Sequence, residues 1–141
     1  MFYTNFTKLF LDRFVAAGGI IFLSPILLLI SIINFAYYGN VFFIQERSGK
    51  GLQSFKLLKF QTMKEDSSAF ISDIERTTSY GKLLRITSLD ELPQLFLVLI
   101  GRMSLIGPRP LLVEYNQYYS EPQLKRFTVK PGITGWAQVN G

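Results

Sequence analysis

The chain has 141 residues, a hydrophobic fraction of 48% and a net charge of +5, and it contains neither cysteine nor histidine. That length suits one domain with a membrane appendage. The two missing residue types exclude, for this sequence, a disulfide scaffold, a zinc–thiolate or histidine metal site, a thiol nucleophile and imidazole catalysis.

What remains for chemistry is carboxylate, Lys, Arg, Tyr, Ser and Thr. A metal held by such groups would be a hard, oxygen-preferring cation such as Mg²⁺. The basic balance suits phosphate-bearing partners, namely phospholipid headgroups, nucleotides or nucleic acid; a solvated basic surface accounts for it equally well.

The first predicted element is apolar. No charged residue lies between Phe14 and Gln45. The stretch from Phe14 to Ile33 is long enough, at 1.5 Å per residue, to span a hydrocarbon core of roughly 30 Å. A helix apolar on all faces is hard to surround within one small domain, which favours insertion in a bilayer. Ser24-Pro25 sits mid-segment. The proline removes a backbone hydrogen bond and predicts a kink, and the serine hydroxyl can serve a freed carbonyl. An ordinary kinked span and a re-entrant helix both fit. Lys8 and Arg13 precede the segment, and Arg47, Lys50, Lys56 and Lys59 follow it. Positive charge on both sides places both ends on the cytoplasmic face, which predicts re-entry.

Val41–Ile44 and Ser54–Met63 read as strands, joined through the Ser48-Gly-Lys-Gly51 turn into a β-hairpin. That turn lacks the spaced glycine and the Ser/Thr of a P-loop. Lys64 to Ser79 reads as a loop or short helix. Ser88-x-x-Glu91 fits a capping box, predicting a helix from Leu89 to Ile100 that stops at Gly101. A short Tyr-rich helix is expected from Val113 to Tyr119, and another from Ser120 through Phe127. Pro131–Trp136 reads as turns. Aromatic residues cluster in apolar runs instead of alternating with Lys and Arg, so nucleic acid is not an expected partner.

Asp90 and Glu91 form the candidate reactive pair. Acids in a first helical turn are favoured by the macrodipole, and this alone could explain them. They also suit phosphoryl chemistry. One carboxylate can attack phosphorus while its neighbour holds Mg²⁺ against a diphosphate, and an arginine grips the phosphate oxygens. Arg85 and Arg109 are within sequence reach of that role.

Five ordered stretches then carry a resemblance. They are Val41–Gly49, Phe55–Met63, Leu84–Leu95, Met103–Pro110 and Lys130–Gly141. In these the chain resembles the bacterial sugar transferases of the monotopic phosphoglycosyl transferase type, and Ser24-Pro25 matches that family's re-entrant kink. The resemblance implies transfer of a sugar phosphate from a UDP-sugar to undecaprenyl phosphate, with release of UMP, at the start of lipid-linked glycan synthesis. It implies Asp90 as nucleophile, Glu91 as Mg²⁺ ligand, and Pro108-Arg109-Pro110 as part of the nucleotide-sugar site. Arg47, Lys59 and Arg85 are inferred to contact the substrate. The chain departs from the family's usual pattern at Gln61, Ile86, Leu97, Ile100 and Arg102, and it ends before an expected C-terminal segment.

The expected fold is α+β and mostly helical. Residues 1–38 form a re-entrant membrane helix, and 39–141 form a catalytic domain with a small hairpin and interfacial amphipathic helices. The expected location is the cytoplasmic face of a bacterial inner membrane, with membrane lipids as partners. The alternative is a non-catalytic membrane-surface module that binds nucleotide sugar or a partner enzyme.

Overall fold

The computed structural model describes residues 6–64 and 76–140. The expected loop or helix at Lys64–Ser79 therefore lies largely outside the described residues. The fold is α+β and mostly helical, with a long apolar N-terminal helix and two small sheets.

Helix α1 runs Lys8–Tyr38 with Pro25 inside it. At 1.5 Å per residue its 31 residues reach ~46 Å. Its most apolar window has a mean hydropathy of 2.5 and is only 11% buried within the protein. Ile21 and Phe22 are 75% and 83% exposed. Apolar surface on this scale needs a cover that the described residues do not supply.

Strand β1, Phe42–Ser48, pairs with β2, Ser54–Phe60, in the expected hairpin. A short 3-10 turn at Lys50–Leu52 joins them. Gly51 (φ 66°) supplies the left-handed conformation there, which glycine adopts without a Cβ penalty. Helices α2 (Ser79–Ile86) and α3 (Gln94–Leu99) follow. Strand β3, Ser104–Ile106, precedes the short α4, Glu121–Leu124; β4, Gly132–Thr134, and α5, Trp136–Val139, complete the described chain.

Two compact units divide these elements. The first comprises residues 6–22, Gln45–Leu57 and 94–140. Its core is Ala16, Leu57, Val98 and Met103, with Leu95, Leu105 and Ile133 packed against it. Here β3 and β4 pair in parallel, with Ser104 opposite Gly132 and Ile106 opposite Thr134. The pairing brings Gly132 so close to Gly107 that a Cβ on Gly132 would collide with the Gly107 backbone. This sheet replaces the turns expected at Pro131–Trp136. Three-residue strands are too short to show a period-2 pattern in sequence.

The second unit comprises Leu23–Ile44 and Leu58–Pro93. Leu27, Ile30, Phe60 and Leu84 form its core. Asn34, on α1, is fully buried there, and its side-chain amide donates to the carbonyls of Val41 and Gln61 at 3.0 Å each. The hairpin's open end is thereby fastened to the helix, because a buried amide donor must find acceptors.

The helix expected from Leu89 to Ile100 is broken. Leu89–Glu91 is one 3-10 turn, and α3 begins only after Pro93. It ends as expected at Gly101 (φ 82°). The expected capping box is absent too: Ser88 makes no side-chain cap bond and lies in the left-handed region at φ 56°. The physical reason is that Ser88 finishes α2. Thr87 is that helix's C-cap, and the next residue takes the αL conformation with which helices commonly close. Toward the C-terminus, the Tyr-rich segment is a 3-10 helix at Val113–Tyr118. At α4 a capping interaction does form, the Ser120 amide donating to Gln123 Oε1 at 2.9 Å.

Candidate active site

The second unit brings Asp90, Glu91, Lys59 and Arg85 together. Helix α2 sets the frame. Thr78 caps it by accepting the Gly81 amide at 2.9 Å. Gly81 packs on the chain just past β2, where a Cβ would collide with the Thr62 carbonyl. That close approach lets Arg85 Nε donate to Thr62 Oγ1 at 3.0 Å. The left-handed Ser88 then reverses the chain, and the following 3-10 turn points Asp90 inward. This carboxylate is 7% exposed.

Lys59, on β2, donates to Glu91 Oε1 at 2.6 Å. The Lys59 and Glu91 side chains are 22% and 24% exposed, so the pair is partly shielded from water. Burial pushes the Asp90 carboxyl above the ordinary carboxylate range. Lys59 opposes that shift, the Glu91 charge adds to it, and Arg85 and a hydrogen bond from Asp90's own backbone amide hold it back. An aspartate kept out of water with cations at hand marks a candidate site, since perturbed carboxyls gather at functional sites. The result is a carboxylate with weakened solvation, which is what a nucleophile toward phosphorus requires.

The donor set suits Mg²⁺. No group of three or more acids, histidines or cysteines occurs among the described residues. Mg²⁺ commonly needs only one or two carboxylates when substrate phosphates complete its shell. Glu91 can supply one.

The other sequence-predicted residues lie in the first unit. Arg47 is half-buried on β1. Its Nη2 donates to Gln45 Oε1 at 2.5 Å, and its buried Nε has no hydrogen-bond partner among the described residues. Burial and then the Arg109 charge lower its pKa, while Glu114 and Tyr115 partly offset them. Two guanidinium groups in one neighbourhood, one with an N–H unmet, fit an anionic guest. Arg109 is exposed between Pro108 and the buried Pro110. Arg109, Pro108, Ser48, Arg126 and Phe127 line a pocket of about 10 Å³, room for about one water.

Sequence reasoning passed over two supporting residues. Thr62 fixes Arg85, and it sits inside the Phe55–Met63 stretch, which could have signalled it. Arg126 Nη2 donates to the Arg109 carbonyl at 2.8 Å, and its guanidinium lies 5.6 Å from the Tyr119 ring centre and 5.8 Å from that of Phe127. No local pattern announces a contact made across 17 residues. Lys59, expected to touch substrate, also bonds to Glu91.

Comparison with known proteins bears on this geometry. A model of the bacterial sugar transferase family matches residues 3–141. The Bacillus subtilis protein named "uncharacterized sugar transferase EpsL" is 47% identical over 119 residues, which cover 82% of this chain and 59% of that protein. The UDP-glucose:undecaprenyl-phosphate glucose-1-phosphate transferase of Xanthomonas campestris is 41% identical over 140 residues, 92% of this chain and 29% of the relative. A UDP-N-acetylgalactosamine-undecaprenyl-phosphate N-acetylgalactosaminephosphotransferase from Aeromonas hydrophila is 39% identical over 143 residues, 95% of this chain and 34% of the relative. The chain thus spans between about a third and three-fifths of these relatives' lengths.

Proposed function

The chain belongs to the bacterial sugar transferase family, and from that premise we propose that it transfers a sugar phosphate from a UDP-sugar to undecaprenyl phosphate and releases UMP. The observation that carries this reading is the buried Asp90 carboxylate beside the Lys59–Glu91 pair. The names of the relatives give the substrate classes, and they differ in the sugar.

In the proposed reaction an Asp90 oxygen attacks the phosphorus that bears the sugar. The phosphorus–oxygen bond to UMP breaks, and UMP leaves with the electron pair. A phosphate oxygen of undecaprenyl phosphate then attacks the same phosphorus, and Asp90 is released unchanged. Attack by one anion on another must be offset by positive charge. Arg85, fixed by Thr62, would meet phosphate oxygens, and Lys59 orients Glu91 through their 2.6 Å bond. Glu91 would hold Mg²⁺, which when bound would neutralise charge on the diphosphate. Arg47, Arg109 and the flanking Pro108 and Pro110 would receive the nucleotide end of the donor.

The membrane placement belongs to the same proposal. We place α1 in the inner membrane as a re-entrant helix bent at Ser24-Pro25, with the remaining chain on the cytoplasmic face. Support comes from the exposed apolar surface of α1 and from Leu83 and Ile86, 57% and 82% exposed on α2, which suit the bilayer interface.

The test is UMP release from a panel of UDP-sugars with undecaprenyl phosphate and Mg²⁺. Asp90→Asn should lower the rate by on the order of 10⁴-fold or more, as loss of a covalent nucleophile does. Equal rates in the two proteins would remove Asp90 from the chemistry.

A further inference from the structure

The first unit carries a second cationic site that the sugar transfer does not use. It forms around the first turns of α1. Asp12, 9% exposed, accepts from Ser104 Oγ at 2.6 Å and pairs with Lys8 Nζ at 2.9 Å. Lys8 also donates to Ser104 Oγ. The one carboxylate here is therefore already engaged. Next to it, Arg13 Nη2 and Lys130 Nζ lie 2.8 Å and 3.4 Å from the point where a Cβ on Gly101 would sit. A methyl on Gly101 (φ 82°) would press on the Arg13 guanidinium, so the glycine is what lets the two cations approach this closely. Arg13, Lys50 and Lys130 make no ion pair among the described residues. The Lys130 ammonium is depressed first by burial and then by Arg13 and Lys50, with Asp12 only partly offsetting them. Crowded cations that lack a counter-charge invite an anion.

We propose that Arg13, Lys50 and Lys130 bind the phosphate of an anionic phospholipid headgroup. The lipid source follows from position. The site lies at the mouth of the apolar helix, and Phe10 and Phe14, 63% and 68% exposed with rings 6.3 Å apart, flank Arg13. Basic pockets beside interfacial aromatic residues are where headgroups lodge. Asp12 is held by Lys8 and Ser104, so it pairs with none of the three cations. The inference shares with the proposed function only the placement of α1 in a bilayer.

The test is native mass spectrometry of the full chain in dodecyl maltoside micelles, where insertion and turnover are not required. Dioleoylphosphatidylglycerol, dioleoylphosphatidylcholine and inorganic phosphate are titrated separately. One phosphatidylglycerol should bind in preference to phosphatidylcholine. Arg13→Gln/Lys130→Gln should weaken it about thirtyfold, roughly fivefold per charge. Lys56→Gln/Lys82→Gln, which removes the same charge at two exposed lysines outside the cluster, should leave it unchanged. Should the first double variant fail to fold, Lys50→Gln/Lys130→Gln carries the same expectation. Equal binding of the two lipids, or unaltered binding in the cluster variants, overturns the proposal. So does displacement of the lipid by inorganic phosphate at equal concentration, which would make this a free-phosphate site.

Discussion

Replacing Lys59 with methionine removes the charge that both acids of the candidate site face. The 2.6 Å bond to Glu91 sits with both side chains about a quarter exposed. It therefore falls between a surface pair, worth up to about 1 kcal/mol, and a buried pair, whose breakage costs about 3–5 kcal/mol. A loss of about 1–2 kcal/mol is expected, which at this chain length lowers the melting temperature by about 4–8 °C. The chemical consequence has a definite sign. Lys59 is the leading influence opposing the burial that raises the Asp90 carboxyl. Without it the folded-state pKa climbs further, so the nucleophile ionises only at higher pH. The acid limb of the UMP-release profile should move in the alkaline direction, and the rate at neutral pH should fall. Differential scanning fluorimetry and a pH–rate series read the two effects. In a double-mutant cycle with Glu91→Gln, the stability losses should be non-additive by about the same 1–2 kcal/mol. A melting temperature within 1 °C of the parent, with superimposable pH profiles, would refute the claim that Lys59 controls this pair.

Two further substitutions test the framework. Asp90→Asn should be more thermostable than the parent at pH 8, because a carboxyl with a raised folded-state pKa loses stability as pH rises through the interval between its unfolded and folded values. The difference should shrink toward pH 4, and a fluorimetric melting series at both pH values checks it; a destabilised variant at pH 8 counts against the burial argument. Gly132→Ala should cost about 3 kcal/mol, since its methyl would strike the Gly107 backbone where β3 meets β4. Chemical unfolding measures that, and a neutral result would refute the close approach of Gly132 to Gly107.

The sequence by itself determined the elements that rest on local or compositional physics. The apolar run from Phe14 needs no partner to be read, because length and hydropathy decide it, and α1 covers it. The hairpin is legible in two strand-like runs on either side of the Ser48–Gly51 turn. The Asp90-Glu91 pair and Pro108-Arg109-Pro110 stand out as residue types that phosphate chemistry needs. Tertiary structure decided everything that depends on which atoms meet. Ser88 looked like the start of a helix, but it closes α2, since only the packed chain fixes which helix claims a boundary residue. The β3–β4 pairing joins three-residue segments 28 positions apart, too short to declare themselves. Lys59 reaches Glu91 across 32 positions, a pairing that no local pattern in the chain announces. The burial of Asp90 belongs to tertiary structure as well. A carboxylate's identity is written in the chain, but the loss of water that raises its pKa exists only once the fold has buried it.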